Sequence, residues 1–158
     1  LADSYPDLKV EMITSAGAGT WLSTRAQRHL RRAFDRLRIT VRADTWVTQV
    51  IENAMVLDSG ATLTADVVVW AAGFRVPSVA GQAAAHAPDG NETRVSCQTG
   101  LPMGQHVADV VADRLTGGDP RPFRLRYVWQ NISLGRRDGV TQFTHADDSR
   151  SEIPVSSW

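Results

Sequence analysis

The stretch VVVWAAGFRVP, Val67 to Pro77, carries the strongest fold signal in the chain. Val67, Val68, Val69 and Trp70 form an unbroken apolar run, the pattern of a strand covered on both faces in a parallel sheet. Ala71, Ala72 and Gly73 then strip side-chain bulk from the carboxyl end of that strand, where open α/β sheets bind their ligands. Gly73 also admits positive φ and close backbone approach. The pattern predicts a buried parallel strand and, with it, crossover helices.

Working outward, Lys9 to Thr14 (KVEMIT) predicts a short strand that runs into the glycine-rich SAGAGTW. Ser23 or Thr24 then caps a helix whose apolar positions Ala26, Leu30, Ala33, Phe34 and Leu37 recur at helical spacing. A second strand is expected at Ile39 to Val41. An antiparallel pair follows at Trp46 to Ile51 and Met55 to Leu57, with DSGATL as a turn into the next strand. Residues 81–91 are small, polar and turn-prone, which predicts a loop. A helix follows with Val107, Val110, Val111 and Leu115 as its apolar positions, ended by Gly117 and Gly118, and kinked by Pro102 or begun there. Residues 123–145 alternate as two strands around the Gly135 to Gly139 turn, and residues 146–158 resemble a polar tail.

Composition narrows the function classes. The 158 residues are 42% hydrophobic and 22% charged, which fits one globular domain or two small lobes sharing a core. Seventeen basic and seventeen acidic side chains cancel, so the overall balance calls for neither nucleic acid nor an anionic membrane. One cysteine, Cys97, excludes an internal disulfide and any zinc site built on paired cysteines, and a cytoplasmic setting is the expectation. No run approaches the roughly eighteen apolar residues of a membrane span, so no transmembrane segment is expected.

The candidate chemistry is concentrated near the first strand. Gly17 and Gly19 form a GxG, but position 22 is Leu, so the three-glycine dinucleotide fingerprint is absent. The loop still lies at the end of the sheet that would cover a ribose or adenine. Thr14 and Ser15 stand where a carboxylate would grip the ribose hydroxyls, and Glu11 sits mid-strand, so repulsion of a 2′-phosphate is missing and NADPH is not excluded. Arg25, Arg28, Arg31, Arg32 and Arg36, followed by Arg38 and Arg42, read as a solvated charged face. Arg25, nearest the loop, can reach a ribose 2′-phosphate as a bidentate donor. His29, His86, His106 and His145 have no metal-ligand spacing. Ser96 and Cys97 lie in no nucleophile pattern and read as buried small residues.

Taken in order, these pieces resemble the nicotinamide-nucleotide domain of flavin-dependent pyridine nucleotide oxidoreductases, in the type II NADH dehydrogenase-like branch. Ala71-Ala72-Gly73 and Pro77 stand where that family has Ala-Thr-Gly followed by Pro. SCQTGLPMGQHVADVVADRL resembles its helix aimed at the flavin pyrimidine ring, and Leu134-Gly135-Arg136 resembles its Gly-Arg turn.

The resemblance covers most of residues 1–145 and implies an α/β fold in three parts. These are a partial Rossmann-like NAD(P)-binding domain at 1–80, a loop and flavin-facing helix of an incomplete FAD domain at 81–120, and antiparallel interface strands with a tail at 121–158. It implies FAD and NAD(P)H as cofactors, with hydride passing from nicotinamide to flavin and on to an acceptor such as a quinone. The cofactor-binding residues it implies are Thr14, Ser15, Arg25, Ala71, Ala72, Gly73, Thr93, Arg94 and Gln98. The family's two GxGxxG loops and its Gly-Asp strand are missing, which implies either a fragment or a chain with a stretch deleted or left out. The expected partners are a small-molecule electron acceptor and either the N-terminal half of such a protein or a second copy. A non-catalytic remnant or scaffold of the same fold is the rival expectation.

Overall fold

A computed structural model of the chain describes residues 1–73, 96–145 and 147–153; the expected loop at 81–91 and residues 154–158 of the tail lie outside them. The described residues divide into two compact units, one of 1–72, 129–144 and 149–153, the other of 73, 96–128, 145 and 147–148. In linear order the strands at the carboxyl end follow the second helix. In space they belong with the first unit.

In the first unit, β1 (Glu11–Ile13) and β2 (Thr40–Arg42) pair in parallel, Glu11 opposite Thr40 and Ile13 opposite Arg42. Parallel strands need a crossover, and α1 (Thr24–Arg36) supplies it. The helix starts at Ser23, whose Oγ accepts the Ala26 N–H at 3.4 Å and so satisfies one of the first-turn donors. Its apolar spacing puts Ala26, Leu30 and Ala33 on one buried stripe, packed with Leu22, Leu134 and Val140. Burial of each leucine contributes about 1.5–3 kcal/mol. Leu134 and Val140 come from an antiparallel hairpin, β6 (Trp129–Ser133) and β7 (Gly139–Phe143), registered from Trp129 opposite Phe143 to Ser133 opposite Gly139. The element between β2 and residue 65 is a separate antiparallel sheet. It is built of β3 (Val47–Ile51), β4 (Ala54–Leu57) and β5 (Thr62–Thr64), with a bulge between Val47 and Gln49.

The second unit is built on α2 (Cys97–Thr116), which ends at Gly117 with φ 77°. Pro102 lies inside this helix without ending it. The following segment runs back along the helix. Tyr127 Oη lies 3.3 Å from Thr99 Oγ1, and the Phe123 ring centroid 5.2 Å from that of His106. No described helix is long and apolar enough to cross a membrane.

Several expectations are corrected. Val67 to Trp70 form no strand, and Val67, Val69 and Trp70 are 77%, 67% and 60% exposed. The parallel pair lies at β1 and β2 instead, and residues 67–70 are hydrogen-bonded into no described sheet. An apolar run records a tendency to seek cover; it does not supply the covering strands. Val107, Val111 and Leu115 are likewise exposed and form no core, and Cys97 is exposed rather than buried. The first of the carboxyl-terminal strands begins at Trp129, not Phe123. Part of the polar tail is structural, because Ser151 is buried and its N–H donates to the Phe143 carbonyl at 2.9 Å.

Candidate functional site

The site begins at the carboxyl end of β1. Thr14 continues the parallel ladder there: its N–H donates to the Arg42 carbonyl at 3.0 Å, and its own carbonyl accepts the Thr45 N–H at 3.1 Å. Ser15 is exposed at the start of the glycine-rich loop. That loop turns at Gly19, φ 74°, where an added Cβ would stand 2.6 Å from Leu30 Cδ2. Glycine is therefore demanded twice over, by the left-handed backbone and by the close approach of the α1 core.

The loop delivers the chain into a firmly held helix start. Gln142 is fully buried; its Oε1 accepts the Ser23 N–H at 2.8 Å while its Nε2 donates to the carbonyls of Phe143 and Ser151 at 2.7 and 2.8 Å. Gln27 Nε2 and Arg150 Nη1 both donate to the Leu22 carbonyl, at 2.9 and 3.2 Å. These side chains make the entry to α1 a structural joint. Arg25, in the first turn of α1, is exposed and makes no ion pair with a described residue.

Charge at this edge is partly pre-assigned. Glu11 forms an ion pair with Arg42 across the two strands, which keeps its carboxylate from the position of a ribose ligand. Asp44, exposed, with φ 51°, lies next to the Thr45 that docks on Thr14. Sequence reasoning missed this carboxylate; its only signal was an Asp-Thr pair directly after a short strand. At the far end of α1, Asp138 receives Arg36 Nη2 at 2.5 Å and His29 Nε2 at 2.7 Å. The Arg36 hydrogen bond is the largest cause holding the Asp138 carboxyl below the usual carboxylate range, His29 adds to it, and desolvation opposes both.

The remaining candidates are dispersed. Ala71 and Ala72 belong to the first unit, and Gly73 to the second. Gly73 adopts φ 77°, as its place after the apolar run led one to expect, and no described atom lies within 4 Å of where its Cβ would be. Gln98 is half-buried in the first turn of α2, where Ser96 gives no side-chain cap and Thr99 Oγ1 lies 3.3 Å from Ser96 Oγ. Thr93 and Arg94 lie outside the described residues. Thr14 and Ser15 thus follow the carboxyl end of β1, and Arg25 lies in the first turn of α1. Among the described residues no cluster suited to a metal ion is present.

No protein-family model and no curated protein sequence matches the chain. Solved structures do. The chain superposes on a ferredoxin reductase from Rhodopseudomonas palustris with TM-score 0.61 and 19% identity, over 91% of its own length and 44% of that chain. It superposes on the sulfide:quinone oxidoreductase of the hyperthermophilic bacterium Aquifex aeolicus with TM-score 0.59 and 11% identity, over 94% of its length and 45% of that chain. Its fold is shared with two oxidoreductases. The chain spans less than half the length of either, and the likeness is one of fold.

Proposed function

We propose that this chain is the nicotinamide-binding part of a flavin-dependent NAD(P)H oxidoreductase and is inactive by itself. The observation that supports this most is the parallel β1–α1–β2 unit, with Thr14 and Ser15 following β1 and Arg25 in the first turn of α1, within a fold that two oxidoreductases share. The residues fit a nucleotide. Ser15 and Thr14 offer hydroxyls to a ribose, and Arg25, which makes no ion pair with a described residue, offers a guanidinium to a 2′-phosphate. The small side chains of Ala71 and Ala72 suit the close approach of a ring. A flavin would find a helix start without a side-chain cap at α2, where the positive helix end and Gln98 favour an electron-rich carbonyl edge. Bound together, the two cofactors supply hydride transfer, and the protein's share is to position their rings.

Nucleotide choice rests on two opposed charges, Arg25 attracting a 2′-phosphate and Asp44 repelling it. Titration of the chain with NADPH and with NADH, followed by nicotinamide fluorescence, tests this. Arg25→Ala is expected to weaken NADPH several-fold and leave NADH unchanged, and Asp44→Asn to strengthen NADPH. No binding of either nucleotide, or equal loss of both on Arg25→Ala, would remove the reading. FAD is expected to be lost on dialysis, because the chain has no glycine-rich phosphate fingerprint. The exposed Val67, Val69 and Trp70 favour a second reading, a non-catalytic module that associates through apolar surface.

A further inference from the structure

We infer that the outward side of α2 docks the remainder of the fold that this chain shares with the two oxidoreductases. With about 3.6 residues per turn, α2 divides along its length into two unlike sides. On one, Thr99 is buried and Pro102, Met103, His106 and Val110 are half-buried. The other carries no charged, amide or hydroxyl side chain between Cys97 and Leu115, and every residue on it is exposed. Leu101 and Leu115 are 78% and 82% exposed there, and Val107 and Val111 50% and 51%. Gln105 and Arg114 stand at its margins. A helix side left to water carries charge, as the outer side of α1 does with its exposed arginines and Asp35. This one carries none.

Two glycines lie in the middle of that side. Gly100 and Gly104 are one turn apart, with Ala108 one turn further on. Glycine inside a helix lowers its stability, and neither position has the positive φ that would call for one. Nor does any described atom beyond the helix's own backbone lie within 4 Å of where either Cβ would be. Bare backbone between the flanking Leu101, Val107 and Val111 makes a groove bordered by apolar ridges, a shape that admits the ridge of another element at short range. No described residue of this chain uses it.

The occupant follows from how much of the fold lies outside the chain. The two superpositions take in 91% and 94% of the chain, and α2, with twenty residues, is longer than what they leave out, so it belongs at least in part to the shared fold. They take in only 44% and 45% of the two solved chains, so more than half of that fold is built from residues outside these 158. In a finished fold an apolar helix side of this length is covered. A lipid surface fits less well: a helix lying on one sets lysines and arginines opposite its apolar face, and α2 has Arg114 alone against Asp109 and Asp113. The inference rests on the shared fold and holds whether or not a nucleotide binds at the β1 edge.

Photo-crosslinking in the cells that make the protein tests this, with p-benzoylphenylalanine replacing Gln105 at the margin of the groove and, as a control, replacing Arg32 on α1. The probe on α2 is expected to join a polypeptide segment that superposes on the portion of the ferredoxin reductase this chain leaves unmatched. Gly104→Leu fills the groove and is expected to cut the yield about tenfold. Circular dichroism of the purified Gly104→Leu chain is expected to show helix content unchanged and thermal resistance no lower, so that the lost yield reports the surface and not unfolding. In the purified chain Cys97, exposed at the start of the same side, is expected to react with a maleimide nearly as fast as a free peptide thiol. Slow labelling of Cys97 would overturn the inference in favour of cover by this chain itself. A crosslink to α2 of a second copy, to lipid or to a segment of unrelated fold would overturn it as well. So would equal yields from the two probes, or no crosslink.

Discussion

The two long helices carry the same kind of sequence signal and meet different fates. α1 buries its apolar stripe against Leu134 and Val140 of the hairpin, whereas α2 leaves Val107, Val111 and Leu115 exposed and buries only Thr99. Helical spacing of apolar residues announces a helix with a face to hide. Whether that face is hidden depends on a surface supplied from elsewhere, and only α1 has one among the described residues.

The sharpest way to break the contrast is to remove one core leucine and one leucine-like residue from the other helix. Leu30→Ala is expected to destabilise the first unit by about 2–5 kcal/mol in urea unfolding. Val111→Ala is expected to change stability by no more than about 0.5 kcal/mol. Equal costs would show that α2 also has a packed partner.

Next in size is the polar joint that couples α1 to the hairpin. Gln142→Leu keeps the volume but strands the Ser23 N–H and the Ser151 carbonyl, while the Phe143 carbonyl keeps the Ser151 N–H. A loss of about 1–3 kcal/mol is expected, together with faster amide exchange at residues 22–27. Exchange that stays slow would mean that the Ser23 cap holds α1 in place unaided.

The smallest effect concerns the other end of α1. Asp138 has its carboxyl lowered in the folded state by Arg36 and His29, so its contribution is present above the unfolded value of about 3.9 and is lost as pH falls through the folded one. Asp138→Asn should therefore lower stability near neutral pH slightly and flatten its acid decline below about pH 4. An unchanged acid limb would assign that decline to other carboxylates.

Much of the local structure was legible in the residues. Ser23 announced a cap, Ala26, Leu30 and Ala33 a stripe, and Gly117 and Gly135 the end of a helix and a turn. These signals concern interactions within a few residues of one another, where backbone sterics and hydrogen bonding act on the chain directly. What the sequence could not say was which apolar segment would find a partner. Val67, Val69 and Trp70 belong to the most apolar strand-like run in the chain and stand exposed, while the modest hairpin at 129–143 supplied Leu134 and Val140 to the core. Asp44 escaped notice for the same reason, since its place beside Thr14 arises only when β2 lies parallel to β1. By itself the sequence determined where helices and turns form and which faces are apolar or cationic. Only the tertiary structure decided which of those faces are covered, because burial requires two surfaces brought together from distant parts of the chain.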